Sequence, residues 1–448
     1  MRLHATFAAL EERDFRLFYA GLVVSLVGTW MERAALQWLV YRLTGNSEVW
    51  LGLVVGVPLI PALLVSLPAG IVIDRVRVRR VLLLTQTLAC VGAAVFATLV
   101  LTGHVTPWGI VAYAAYSSGV FAIDAPARQA FVARVVGPLR ITNAVALSAV
   151  AFQAAQVGGS ALFGWLFAHT PLGEGGCIAL NAASFAAIIV SLFAIRERPV
   201  DLAGGRVAPN PLDGLRLAWR APVLRAALLT AVCTSLLGYQ VNQLLPVYAK
   251  KVWTDDTAAL VRAAAGSPAP APSADASPAP AAAASSAGAA LARAVEEKDA
   301  EQFANMRVAV AIGALLGGLV LASRGPALRR GKLVARRAIL VPPVLLAFSL
   351  IPWYGAGLAL LGAAGFLMIQ THSSCSSILQ THVPDELRGR VASLFTLAVL
   401  ASFPLGGFLA GQIAAQLGAR ATTSIAAIAL AAAYAAIHAT HREFRAAT

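Results

Sequence analysis

Charged side chains are scarce in this 448-residue chain: 12% of residues, against 58% hydrophobic. A soluble domain carries roughly 25%. No soluble fold hides that much apolar surface, so lipid must be the solvent. Cysteine is scarce as well. Cys90, Cys177, Cys233 and Cys375 each fall inside an apolar run with no C-x-x-C spacing. They read as small apolar helix residues rather than a metal or disulfide framework. No Walker loop, H-E-x-x-H, paired His/Cys cluster or G-x-S-x-G occurs. No cofactor and no enzyme activity are therefore expected, and any work must draw on an ion gradient. A cleavable signal peptide is not expected either, because Met1 to Arg16 is charged and the first apolar run is too long.

What is present is a series of apolar runs. A membrane-crossing helix needs about 20 mostly apolar residues. The runs predict twelve spans at 16–42, 49–73, 81–102, 107–131, 142–168, 175–195, 223–249, 304–322, 337–354, 356–380, 391–415 and 420–440. Pro61, Pro68, Pro126 and Pro404 are expected kinks, which membrane helices tolerate.

The formal charge of +14 would suggest nucleic acid in a soluble protein. Here the bases fall in alternate loops, which excludes nucleic acid as the partner and reads instead as membrane orientation. One set of loops holds Arg75, Arg77, Arg79 and Arg80, then Arg134 and Arg140, then Arg196 to Arg220, then Arg329 to Arg337, then Arg388 and Arg390. The opposite short loops hold almost no base. By the positive-inside rule both termini are cytoplasmic, in a bacterial inner membrane.

Leu139-Arg140 precedes Gly158-Gly159 by the offset that separates Leu387-Arg388 from Gly406-Gly407. This internal repeat predicts two six-span halves, 1–200 and 223–448, around a central path. The linker 201–222 is expected to carry a short surface helix near Leu212 to Trp219. Residues 254–303 are expected to be a disordered extracytoplasmic loop, since Ser267 to Ala290 is nearly all Ala, Pro and Ser. Leu291 to Met306 is more helix-prone and leads into span eight.

The loop after span two reads Gly70-Ile71-Val72-Ile73-Asp74-Arg75, then Arg77, Arg79 and Arg80. It resembles the G-x-x-x-D-R-x-G-R-[RK] loop of the major facilitator superfamily, with Arg77 and Val78 as departures. Ile123-Asp124-Ala125-Pro126-Ala127-Arg128-Gln129, Gly28-Thr29-Trp30-Met31 and Val383-Pro384-Asp385-Glu386-Leu387-Arg388-Gly389-Arg390 are similar to the branch containing the enterobactin exporter and macrolide-efflux-like proteins. The resemblance implies the twelve-helix, all-α major facilitator fold and alternating access. It also implies a cytoplasmic gate built from Gly70, Asp74, Arg75, Arg79, Arg80, Asp124, Arg128, Arg140 and Arg388. The plainer alternative is that these bases only fix topology. Gly158 to Gly164 partly matches the antiporter signature G-P-x-x-G-G, with Ser160 and Phe163 as departures; close helix packing would explain it equally.

Of 21 acidic residues, Glu32 alone falls deep within a predicted span, about 24 Å along the first at helical rise. A carboxylate there is costly and marks function by default. It suits a group that takes and releases a proton. Arg33 neutralises it or binds an anionic substrate. Gln153, Gln156, Gln240, Asn242, Gln243 and His372 are further pathway candidates, and Gln37, Asn181 and Gln370 also interrupt spans. Helix–helix hydrogen bonding is the plainer reading for any one amide. A packed neutral ring is the plainer reading for His372.

The expected protein is a monomeric, proton-coupled exporter of a small amphipathic molecule, drug-like or siderophore-like, embedded in the bilayer. An importer or uniporter of a small metabolite on the same fold is the alternative within transport. A non-transporting sensor or scaffold is the alternative outside it.

Overall fold

The computed structural model describes residues 8–137, 140–195, 216, 219–253, 278–323, 337–383 and 385–440. Among them there is no strand. In lipid, helices satisfy every backbone polar group internally, which is why apolar runs become helices here.

The first half contains α1 (Arg13–Leu43), α2 (Glu48–Gly56), α3 (Leu59–Arg75), α4 (Val78–Leu101), α5 (Pro107–Val136), α6 (Ile141–His169) and α7 (Gly173–Ala194). The second contains α8 (Pro222–Cys233), α9 (Val241–Val247), α10 (Pro278–Ser323), α11 (Val341–Leu350), α12 (Tyr354–Thr381) and α13 (Asp385–Thr440). Eight stretches are long and apolar enough to cross a membrane. The last of them holds two helices, since α13 breaks at Gly418 with φ 81°. With α1, α5 and the short α11, the described residues form twelve spans.

Several local features are set by single residues. Span two is two helices because Pro58 interrupts the ladder between α2 and α3. Pro126 and Pro404 sit inside α5 and α13, as expected. Thr106 caps α5 by accepting the Gly109 N–H at 3.1 Å, with Pro107 in the first turn. Span seven is irregular: π-helical turns at Thr234–Gly238 and Tyr248–Val252 flank α9. Such turns concentrate at functional sites.

One expectation is corrected. Residues 278–303 are not part of a disordered loop; α10 begins at Pro278 and runs 46 residues without a break. Alanine is the best helix former, and Pro278 and Pro280 occupy a first turn whose N–H groups need no partner. Residues 254–277 and most of the linker lie outside the described residues.

Small residues set the helix packing. Gly159 of α6 lies against Val27 and Trp30 of α1, and Gly406 of α13 lies against Leu236 in span seven. Span five thus meets span one as span eleven meets span seven, the relation that the Arg–Gly–Gly repeat predicts. The halves meet where α6 packs on α10 and where α2 packs on α13. Leu64, Leu84, Val95, Val190 and Phe193 stay exposed, as a lipid-facing surface requires.

The apolar core is asymmetric. One cluster runs through both halves, from Met31–Tyr41 of α1 to Leu244, Phe303 and Leu430. A second, with Phe15, Phe18, Leu82, Phe131 and Ile188, belongs to the first half alone. It lies at the arginine-rich end. The halves are therefore continuous at the opposite end, called the far end below.

Candidate functional site

Glu32 is 4% exposed. One carboxylate oxygen accepts the Tyr113 hydroxyl at 2.8 Å, and the other accepts the Asn181 amide. Tyr113 is on α5 and Asn181 on α7, so the carboxylate joins spans one, four and six. The Tyr113 ring is held by stacking on Phe96, centroids 4.2 Å apart. Gly28 lies against Ser184 and Asn181, where a side chain would take their space. Both donors are neutral, so the carboxyl group sits in a polar pocket without a direct ion pair.

Arg33 points elsewhere, as adjacent helix residues do. Its guanidinium lies 5.0 Å from the Trp30 ring and 5.4 Å from the Phe121 ring, good cation–π geometry. It keeps exposed surface on a stretch of α1 whose other residues, Met31 to Val40, are buried. That combination marks a side chain lining an internal cleft.

One turn beyond Arg33, Gln37 bridges the halves. It hydrogen-bonds Gln243 of α9 and accepts Arg307 Nη1 of α10 at 2.6 Å. Arg307 also donates to Ser160 of α6 at 3.3 Å. Arg307 is 8% exposed, and no described carboxylate pairs with it.

The far end is closed by ion pairs. Arg42 holds Glu174 with two hydrogen bonds of 2.8 and 3.1 Å and approaches Glu296 of α10 at 3.3 Å. Lys251 Nζ lies 2.6 Å from Glu48. Lys250 stands 4.8 Å from the Trp38 ring, which stacks on Phe303 across the halves. Glu48, Glu174 and Asp299 are buried within helices, so Glu32 is not alone among acids there. Glu48 and Glu174 lie in first turns, where the helix dipole favours a carboxylate.

The other candidates fall apart from this centre. Gln240 is buried with neither amide atom bonded, and neither ring nitrogen of His372 is bonded. His372 lies among Tyr239 and Phe395, at 5.9 and 5.6 Å. Asn242 returns to the Tyr239 carbonyl at 3.1 Å. Gln153 and Gln156 on α6 make no hydrogen bond to a described residue. A surface cavity of about 430 Å³ at Glu12, Arg13, Asp14 and Ala194 is at the arginine-rich end, remote from Glu32.

Of the gate residues, Asp124 is 3% exposed and accepts Thr85 at 2.9 Å and Gln86 at 2.7 Å while pairing with Arg128. Arg140 pairs with Glu11 and Glu12 at 3.0 and 3.1 Å. Arg79 donates to the Phe193 carbonyl at 3.2 Å, and Arg80 is exposed. These contacts all stay within the first half. The side chains around Gly70, Asp74, Arg75 and Arg388 lie outside the described set.

Arg307, Tyr113 and Ser160 were absent from the sequence candidates. Arg307 lies at the edge of an apolar run, where it reads as a flanking charge. Its signal was a base inside the predicted span 304–322.

Two six-helix halves closing over buried polar groups define a membrane transporter of the major facilitator fold. The chain belongs to the transmembrane secretion effector family, whose model matches residues 4–269 and 279–447. It is a multi-pass transporter of small molecules rather than an enzyme. The multidrug efflux pump Tap of Mycolicibacterium fortuitum is 24% identical over 418 residues, 91% of this chain and 90% of that protein. The staphyloferrin A transporter of Staphylococcus aureus (strain NCTC 8325 / PS 47) is 24% identical over 244 residues, 53% of this chain and 60% of its own length. Among solved structures, a bacterial homolog of the human lysosomal transporter Spinster, inward-facing and unoccupied, superposes with a TM-score of 0.67 at 14% identity, covering 97% of this chain and 98% of that one. The nucleoside transporter NupG gives 0.65 at 13%, covering 95% and 98%.

Proposed function

We propose that the protein exports a small amphipathic molecule by alternating access, exchanging it for protons across a bacterial inner membrane. The observation that carries this is the Glu32 carboxylate, buried mid-span between Tyr113 and Asn181, one residue from a cleft-lining arginine. A carboxylate in the bilayer interior is expensive unless it does something. Tyr113 can turn its hydroxyl from donor to acceptor, so the pocket accommodates the group with or without a proton. The efflux function of Tap supports export over import.

In this reading the arginine-rich end is cytoplasmic, as are both termini. Residues 1–200 and 223–448 are the moving halves, joined by 201–222. The far-end contacts shut the outer side, so substrate loads from the cytoplasm. After isomerisation Glu32 takes a proton from outside, substrate leaves, and the proton is delivered inside. The monomer suffices, and the proton gradient is the energy source in place of any cofactor.

The test uses everted membrane vesicles with an established pH gradient, a fluorescent gradient probe, and a panel of drugs, dyes and siderophores. Compound-dependent collapse of the gradient in wild type, absent in Glu32→Gln, is expected. Collapse in both would remove Glu32 from coupling. Substrate movement with no proton movement would replace antiport by the uniporter reading.

A further inference from the structure

We infer that the transported molecule carries an anionic group, a carboxylate, sulfonate or phosphate, which docks on Arg33 and Arg307 between the two halves. This rests on the transporter reading but not on proton coupling.

Arg307 is buried between the two halves, and its described partners, Gln37 and Ser160, are neutral. A lone buried cation is costly unless an anion joins it. Another cation, Arg33, acts on it through space. The two are close by construction: Arg33 and Gln37 share one face of α1, a turn apart, and Gln37 holds Arg307. Like charges brought together in a low dielectric repel strongly, so the arrangement needs an external reason.

Arg307 has no carboxylate partner among the described residues, and Glu32 acts on Arg33 only through space. Both oxygens of Glu32 are directed to Tyr113 and Asn181, away from hydrogen bonding to Arg33. With Glu32 ionised, the centre carries one net positive charge; with Glu32 protonated, two. Arg33 has no hydrogen bond to a described residue, and its plane is steadied by Trp30 and Phe121. A guanidinium so held presents a preformed fork to an oxyanion. Trp30, Phe121 and Phe303 supply apolar surface beside the charge, which suits an amphipathic ligand. Because Arg33 is on α1 and Arg307 on α10, an anion between them touches both moving halves. Outward movement of an anion is also favoured by an inside-negative membrane potential.

The test measures binding to purified protein in lipid nanodiscs, with empty discs subtracted. The probes are anilinonaphthalene sulfonate, an amphipathic fluorescent anion, and the uncharged N-phenylnaphthylamine on the same ring skeleton. The expected result is saturable sulfonate binding that Arg33→Gln weakens about tenfold or more, with the uncharged probe unaffected. Arg33→Lys, which keeps the charge but loses the fork, should bind the sulfonate more weakly than wild type and more tightly than Arg33→Gln. Glu32→Gln, which removes the neighbouring negative charge, should bind the sulfonate at least as tightly; a merely structural arginine would give no such gain. Equal sulfonate binding by wild type and Arg33→Gln overturns the inference, as does equal loss of both probes in a folded variant. Arg307→Gln extends the test, and the Arg33 variants decide it should Arg307→Gln fail to fold. Binding is read without transport. Failure of proton exchange in vesicles therefore leaves this result standing, and failure here leaves that one standing.

Discussion

Glu48 at the start of α2 and Lys251 at the end of span seven meet at 2.6 Å, tying the two halves together at the far end. Lys251 is about half exposed, whereas Glu48 is largely buried. Exposed pairs contribute roughly 0.2–1 kcal/mol. Removing this one should release, not abolish, far-end closure. Glu48→Gln should shift the population toward the far-end-open state by up to about fivefold. Spin-label distances across that end would report it. Because the residues act as one pair, adding Lys251→Met should produce little further shift. Additive shifts from the two changes would show that they act on closure independently.

The glycines at the helix crossings make a sharper pair of predictions. A Cβ on Gly159 would come 2.7 Å from Trp30 Cβ and 2.8 Å from the Met31 nitrogen. Gly159→Ala should therefore cost about 1–3 kcal/mol, as overpacking does. Gly158 has only Val27 at 3.9 Å, so Gly158→Ala should be neutral or gain roughly 0.5–1 kcal/mol from helix propensity. Gly406→Ala, whose Cβ would meet the Leu236 backbone, should behave like Gly159→Ala. Thermal unfolding in detergent separates these cases. Equal melting of the two neighbours, Gly158→Ala and Gly159→Ala, would refute the packing argument.

The start of α10 tests how much of the Ala/Pro/Ser-rich segment matters. Residues 288–294 are exposed, and burial begins at Asp299 and Ala300. The ion contacts of this region start at Glu296. Deleting Ser267 to Ala290 should leave insertion and transport within about twofold of wild type, since no described packing precedes Glu296. Loss of transport in the well-expressed deletion would assign that stretch a role beyond spanning.

Much of the fold was legible because lipid imposes one rule on every span: an apolar run becomes a helix. The expected boundary at 107 and the break near 418 match α5 and α13 for that reason. The Arg–Gly–Gly repeat was legible because equivalent crossings need equivalent small residues. What was not legible is tertiary. The break at Pro58 and the π turns of span seven depend on packing rather than on hydrophobicity. Glu32 stood out because its cost is visible in one dimension, but Tyr113 and Asn181 are ordinary residues until folding brings them to it. Arg307 went unremarked because it stands at the entrance of the predicted span 304–322, where a base reads as a flanking charge. Gln37 and Gln243 share a bond across 206 positions, which no local pattern announces.

Asp124 separates two accounts of the arginine-rich end. In this conformation it pairs with Arg128 and takes Thr85 and Gln86 from α4, all inside the first half. Asp124→Asn keeps the shape but turns an acceptor into a donor facing other donors. It also leaves Arg128, only 17% exposed, without its charge partner. Breaking a buried pair costs about 3–5 kcal/mol, with the low end expected here because Arg128 keeps some exposure. The single variant should melt well below wild type. Asp124→Asn combined with Arg128→Gln should recover much of that loss, since no unpaired charge remains. If the pair is only a structural tie, transport recovers with stability in the double variant. If Asp124 or Arg128 exchanges partners as the gate closes, stability recovers and transport does not. Thermal unfolding and vesicle transport on the wild type, the single variant and the double variant decide between them, and a single variant that melts like wild type removes the buried pair from both accounts.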